Sequence, residues 1–233
     1  MALITAKNIH RSFGTGNLMT HVLKGITLDV YEGDFIAIMG KSGAGKSTLM
    51  YQLSVLDRPT EGTLTIDGVT VSELSEHDQT LFRLNTLGYV FQDYALVPDL
   101  SAGENIVVPL LMKNQSWDEA KKHAQEALVA VGLPDKYSNL PAQLSGGEQQ
   151  RVAIARTIAG NPKIIFADEP TANLDSISGN AIIDLLGDLN CKGQTIVMVT
   201  HEEEYVKYCN RLVYMEDGIV VKEEHNKNKC DIR

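Results

Sequence analysis

The residues Gly40-Lys41-Ser42-Gly43-Ala44-Gly45-Lys46-Ser47 match the pattern G-x-x-x-x-G-K-[ST]. Glycines let such a loop curl until successive backbone N–H groups face an anion, and a helix beginning there adds the positive end of its dipole. Lys46 then reaches the β- and γ-phosphates of a nucleotide, and the Ser47 hydroxyl completes the coordination of Mg²⁺, with Thr48 carrying the chain into the helix. Far downstream, the apolar run Ile164-Ile165-Phe166-Ala167 ends in Asp168. That carboxylate suits an outer hold on Mg²⁺, through water or through Ser47. Glu169 follows it directly and can activate a water for attack on the γ-phosphate. Neighbours on a strand point to opposite faces, so the two acids can take separate jobs. His201 follows a third apolar run, Ile196-Val197-Met198-Val199-Thr200. Strand ends meet ligands in open α/β sheets, and from there His201 can donate to the γ-phosphate.

These groups need a scaffold that the hydrophobic pattern outlines. Phe35–Met39, immediately before the glycine-rich loop, is continuously apolar, as in a strand buried on both faces. Val22–Val30 reads as a strand ending in the turn 31–34, and Asp67-Gly68 within Thr63–Val71 signals a hairpin. Leu87–Phe91 reads as another short buried strand. From Asp93 to about Asn139 the spacing becomes helical. Ser116 and Glu119 form a capping-box pattern, and Trp117, Ala120, Ala124, Ala127, Leu128 and Val131 share one face, expected to be core, before Gly132 stops the helix. Strand and helix then alternate: helices over 147–159, 178–189 and 202–209, strands over 163–167 and 195–200, and a hairpin at Asp217-Gly218. The alternation implies a parallel sheet with right-handed crossovers, and the polar tail 225–233 is expected to fray.

Composition narrows the function classes. The 233 residues carry 30 acidic and 21 basic side chains, a net charge of −9, with 43% hydrophobic residues, ordinary for a chain that buries a core. The acid excess leaves no electrostatic footprint for sequence-independent phosphate-backbone binding, so no nucleic-acid partner is expected. Cys191, Cys209 and Cys230 are odd in number and in no C-x-x-C pairing, and are expected to be free thiols of a reducing compartment. Neither a signal peptide nor a run of the ~20 apolar residues that a membrane span needs is visible, so a cytoplasmic chain acting on membranes through a partner is expected.

Leu144-Ser145-Gly146-Gly147-Glu148-Gln149-Gln150-Arg151 resembles the signature sequence of the ATP-binding cassette (ABC) ATPases. With the loop 40–47, the Asp168-Glu169 strand end, Gln92 and His201 in their usual order, the resemblance covers nearly the whole chain. It implies an α/β fold: a P-loop NTPase core of the ABC-ATPase kind, with an N-terminal antiparallel β subdomain and a helical subdomain, about 93–150, inserted into one cassette spanning 1–233. It further implies ATP and Mg²⁺ as ligands, with Gln92 linking metal and attacking water to the helical lobe. Phe13 matches the aromatic that stacks on adenine, and Glu169 the catalytic base. Asn173-Leu174-Asp175 resembles the loop coupling two sites across a dimer. Ser145, Gly146 and Gly147 stand at a helix start, offering a hydroxyl, backbone N–H groups and a dipole end to an anion. In the family that end faces the γ-phosphate held by the opposite subunit, so a homodimer sandwiching two ATP molecules is implied. Glu148 occupies a signature position where Gln is commoner, with little change in chemistry expected.

Leu56-Asp57-Arg58-Pro59-Thr60-Glu61-Gly62, Phe91-Gln92-Asp93-Tyr94, Glu104–Pro109 and Phe166–Asp175 look like the MacB/LolD group. That resemblance implies export, extraction or efflux driven through a separate integral membrane permease, often with four spans and a large extracytoplasmic domain. The cassette would then sit peripherally on the inner face of the membrane. A cell-division or sensing cassette that works mechanically without moving a substrate stays open. A soluble ABC protein acting on DNA or ribosomes is opposed by the single cassette and the negative charge, and a regulator with little hydrolysis is opposed by Glu169.

Overall fold

The computed structural model describes residues 2–226 and 230. The chain forms two compact units: 1–81 together with 187–233, and 82–186.

In the first unit, β1 (Ala2–Phe13), β2 (Thr20–Tyr31), β4 (Glu61–Ile66) and β5 (Val69–Thr70) form an antiparallel sheet in the order β2-β1-β4-β5. The hairpin between β4 and β5 turns at Asp67 and Gly68 with φ of 51° and 76°, the paired positive values that two-residue turns require. Beside it lie β3 (Phe35–Met39), β8 (Thr195–Val199), β9 (Arg211–Glu216) and β10 (Ile219–His225). β3 pairs in parallel with both β8 and β9, and β10 closes the edge antiparallel to β9. Every residue of β3 and β8 is buried, as their unbroken apolar runs predict. α1 (Lys46–Leu53) follows β3, and α2 (Glu76–Thr86), which the hydrophobic pattern did not announce, buries only Gln79.

In the second unit, β6 (Leu87–Val90) and β7 (Ile164–Asp168) pair in parallel. Three helices pack together: α3 (Ala102–Met112), α4 (Trp117–Ala130) and α5 (Gly146–Ala159). Each begins with a complete capping box, from Ser101 and Glu104, Ser116 and Glu119, and Ser145 and Glu148. These three helices start where a serine and a glutamate three residues on satisfy each other's backbone amides. α6 (Ser176–Cys191) follows. The expected helical subdomain 93–150 falls within this unit.

The structure corrects several expectations. Cys191 and Cys230 are joined in a disulfide with their Cα atoms 5.4 Å apart, leaving Cys209 as the free thiol, buried. The hairpin β9–β10 explains the pairing, because it returns the chain to the edge where Asn190 donates to the Gly33 carbonyl. Far apart in sequence, the two cysteines are neighbours in the fold, and the expectation of three free thiols gives way to one. Trp117 is 53% exposed rather than core. It is the first residue of α4, and side chains lean toward the helix N-terminus, so it points past the packed stretch that begins at Ala120. Residues 202–209 form a 3-10 turn over Glu203–Tyr208 instead of an α-helix, with Tyr205 and Tyr208 buried at its three-residue spacing. Of the tail 225–233, His225 closes β10, Asn226 donates to the Asn210 carbonyl, and residues 227–229 and 231–233 lie outside the described residues. Among the described residues no helix is long and apolar enough to cross a membrane.

Candidate functional site

The site residues fall into two groups, one in each unit. In the first, β3 delivers the chain to Gly40, where a Cβ would stand 2.3 Å from the Met215 carbonyl oxygen, so only glycine passes. The Ala44 amide donates to Lys41 O at 3.1 Å, closing the loop, and α1 starts directly after Gly45. Lys46 is only 8% exposed, and its ammonium donates to Gly40 O at 2.9 Å and Lys41 O at 3.1 Å. The loop therefore wraps its own cation at the positive end of a helix, which is what a polyphosphate needs. β8 runs parallel to β3 with Val199 opposite Ile38, and Thr200 N donates to Ile38 O at 3.3 Å. His201 thus leaves the sheet, exposed, at the same edge as the cradle. Phe13 ends β1 with 45% of its surface exposed, an open ring face for a base.

In the second unit, Asp168 closes β7 at 8% exposure, and Tyr89 approaches its carboxylate at 3.5 Å. Glu169 has a φ of 43°, a left-handed conformation uncommon outside glycine. Such strain persists where the surroundings impose it, and it clusters at functional sites. Those surroundings are visible. Gln150, fully buried on α5, donates through its amide to Pro170 O at 2.6 Å and reaches Phe91 O at 3.4 Å, and so grips the neighbours of both Glu169 and Gln92. Asn173 donates to Gln92 O at 3.2 Å and to the Asp93 carboxylate at 2.9 Å, while Tyr94 donates to Asn173 O at 3.3 Å.

The signature residues lie against the same loops. A Cβ on Gly146 would stand 2.8 Å from the Tyr94 hydroxyl, so the Tyr94 side chain packs directly over the start of α5. Ser145 caps α5, accepting from Glu148 N at 3.3 Å, while the Glu148 carboxylate accepts from Ser145 N at 2.9 Å and pairs with Lys136 at 2.8 Å. The Lys136 contact and then the Ser145 amide hold the Glu148 carboxyl below the usual glutamate range. Asp175 accepts from the backbone of Ser178 at 2.9 Å and of Ile177 at 3.0 Å, capping the start of α6. These bonds, the Ser178 amide first, lower its carboxyl too. Both carboxylates, expected at the nucleotide, are engaged in helix caps.

The structure brings Phe13, the cradle 40–48 and His201 into one unit, and Gln92, Ser145, Gly146, Gly147, Glu148, Asp168, Glu169 and Asp175 into the other. Sequence reasoning assigned no role to Gln150, Lys136 or Tyr94, and named Asn173 only as part of the coupling loop Asn173-Leu174-Asp175. Gln150 stood in view within the signature stretch, but nothing in its spacing shows that its amide spans two loops. The Ser47 hydroxyl in the first unit and the Asp168 carboxylate in the second are each oxygen donors of the kind a hard cation such as Mg²⁺ takes. No group of three or more His, Cys, Asp or Glu among the described residues forms a dedicated metal cage.

Comparison with known proteins bears on these two groups. The ABC transporter family profile matches residues 23–172. The lipoprotein-releasing system ATP-binding protein LolD of Aquifex aeolicus is 48% identical over 202 residues, covering 87% of this chain and 90% of that protein. The macrolide export ATP-binding/permease protein MacB of Bdellovibrio bacteriovorus is 44% identical over 222 residues, covering 95% of this chain but 34% of the relative. The chain thus spans about a third of MacB. Among solved structures, a dimeric ATP-binding cassette in a post-hydrolysis state, bound to ADP and phosphate, superposes with a TM-score of 0.89 at 41% identity, covering 97% of this chain and 99% of the other.

Proposed function

The chain belongs to the ABC transporter family as an ATP-hydrolysing cassette homologous to LolD and to the ATP-binding part of MacB, and we propose that it works as one half of an ATP-driven homodimer that moves a separate membrane subunit. The observation that carries this reading is the cradle: a glycine-rich loop closed on the Lys46 ammonium at the start of α1. In the proposed cycle Gly40 to Thr48 bind the phosphates, Lys46 balances the β- and γ-charge, and Phe13 stacks on the adenine. Ser47, Asp168 and Gln92 would hold Mg²⁺, which would supply charge neutralisation at the phosphates. Glu169 takes the proton of the attacking water, Gln92 orients that water, and His201 donates to the γ-phosphate as charge builds there.

Ser145, Gly146 and Gly147 offer the start of α5 to the nucleotide held by the second copy, and the Asp175 loop couples the two sites. A dimeric relative bound to ADP and phosphate supports this arrangement. Relatives named for lipoprotein release and macrolide export support a membrane permease as partner, proposed here to have four spans and an extracytoplasmic domain, with the cassette on the cytoplasmic face. The test is the Glu169→Gln chain with Mg-ATP, read by light scattering and phosphate release. A stable dimer with turnover nearly abolished is expected. A monomer at saturating Mg-ATP, even with the membrane subunit supplied, overturns the reading.

A further inference from the structure

One face of the Phe13 ring is already taken. The guanidinium carbon of Arg11 stands 4.4 Å from the ring centroid. The two residues are two apart on β1, and that spacing puts both side chains on the same face of a strand. Arg11 is not loosely draped there. Its Nε donates to Asp57 Oδ2 at 2.6 Å and its Nη2 to Asp57 Oδ1 at 2.9 Å, the two-pronged geometry in which guanidinium and carboxylate bind most specifically. Asp57 is fixed in turn. Gln52 Nε2 donates to Oδ2 at 2.9 Å, the Arg58 amide donates to Oδ1 at 2.8 Å, and the Asp57 amide donates to Tyr51 O at 3.1 Å. Gln52 is fully buried on α1, the helix that begins with Lys46 and Ser47. A continuous chain of contacts therefore runs Gln52–Asp57–Arg11–Phe13 within one unit, from the phosphate-binding helix to the exposed ring.

We propose that Arg11 is a positioning residue for the purine of the bound nucleotide: anchored through Asp57 and Gln52 to the cradle helix, it occupies one face of Phe13 and presents the other to the base. This rests on Phe13 being the base-stacking residue. An exposed phenylalanine at a strand end samples several rotamers and must give them up when a base stacks on it. A cation held over one face removes that freedom in advance and decides which face stays open. The anchor on α1 also sets the span between the base platform and the phosphate loop. A purely architectural Arg11–Asp57 pair, joining β1 to the segment after α1, predicts none of this selectivity, because it does not distinguish a nucleotide from its phosphates.

The experiment is equilibrium binding to the full chain of Mg-ATP and, separately, of magnesium tripolyphosphate, which has the phosphates and no base. Phe13→Ala and Arg11→Met are each expected to weaken Mg-ATP binding about three- to tenfold while tripolyphosphate binding is unchanged. The Arg11→Met change in a Phe13→Ala background is expected to have no further effect, since it acts through the ring. Asp57→Asn, which keeps the cation but loosens its fork, falls between wild type and Arg11→Met, and serves where Arg11→Met folds poorly. Equal losses for Mg-ATP and tripolyphosphate, additive effects of the two substitutions, or Arg11→Met binding Mg-ATP like wild type while Phe13→Ala does not, each overturns the proposal. A Phe13→Ala chain with wild-type Mg-ATP affinity overturns the base-stacking reading itself.

Discussion

Replacing Gln150 by leucine separates stability from catalysis in a way the structure lets one work out. Gln150 is fully buried, its amide nitrogen donates to the Pro170 carbonyl at 2.6 Å, and its Oε1 is buried without a hydrogen-bond partner. Leucine removes a hydrogen bond with a net value of about 1 kcal/mol and leaves the buried Pro170 carbonyl short of a donor, a further cost of about 1–3 kcal/mol. It also removes the orphan oxygen, which relieves about 1–3 kcal/mol of the same kind. The two buried-group terms cancel on average and leave a net loss centred on about 1 kcal/mol, a shift in thermal midpoint of only a few degrees for a chain of this size. What does not offset is the grip on the neighbours of Glu169 and Gln92. An ångström of misplacement in a reacting group costs about a hundredfold in rate. Gln150→Leu is therefore expected to fold normally, to bind Mg-ATP as the wild type does, and to lose about ten- to hundredfold in kcat. Calorimetry, nucleotide titration and steady-state phosphate release read the three quantities, with Glu169→Gln alongside as the floor. A well-folded Gln150→Leu enzyme with wild-type kcat refutes the reasoning and reduces Gln150 to packing.

Other outcomes follow from the same structure. Closing a loop across the 39-residue separation of Cys191 and Cys230 corresponds to about 4 kcal/mol of restricted unfolded-chain entropy, so Cys191→Ser or reductant should move the urea midpoint downward. A midpoint unchanged by reductant contradicts the tether. Cys209, whose thiol burial pushes up, should react with thiol reagents only after unfolding; rapid labelling of the native chain contradicts its burial. The capping carboxyls of Glu104, Glu119 and Glu148 are all held below the ordinary 4.5 of a glutamate, chiefly by their serine partners in the first two and by Lys136 in the third. A lowered folded-state pKa stabilises above the unfolded value and is lost as pH falls through the folded one. Melting followed by circular dichroism should thus show helix stability flat above about pH 5 and declining below about 4.5, and this decline should shrink in a chain carrying Gln at all three positions.

The strands that lead to the candidate site were legible because they are buried on both faces: β3 runs straight into Gly40, the apolar run of β7 ends at Asp168, and β8 is followed two residues on by His201. The turn glycines and the helix starts at Ser116 and Ser145 were legible for a similar reason, since turn geometry and orphan amides accept few residue types, whereas the cap at Ser101 was not read. α2 was missed because it floats on a mostly exposed surface, although Ser75 and Asp78, bonded at 2.6 Å, start it with a polar cap. The disulfide and the Gln150 grip were missed for a deeper reason. Each joins positions whose proximity is created by the fold, by the β9–β10 hairpin in one case and by the packing of α5 against two loops in the other, and no local pattern encodes such proximity.

Glu148 shows how local chemistry and assembly meet. In the proposed dimer the start of α5 meets a phosphate, and a carboxylate there looks self-defeating, since two anions would compete for the same dipole. The capping box dissolves the conflict locally, because glutamate serves the Ser145 amide as well as glutamine does. The remaining negative charge is met by Lys136 at 2.8 Å. The pair is thus neutral, and the start of α5 keeps the attraction for an anion that the proposed sandwich with a second copy requires. It follows that Lys136→Met, which leaves the cap intact but uncovers the carboxylate, should weaken Mg-ATP-induced dimerisation of the Glu169→Gln chain several-fold, and that adding Glu148→Gln should restore it. Analytical ultracentrifugation across a protein dilution series reads both. If Lys136→Met dimerises as well as its parent, or if the second substitution brings nothing back, the start of α5 does not meet the partner's phosphate in the way its capping chemistry implies.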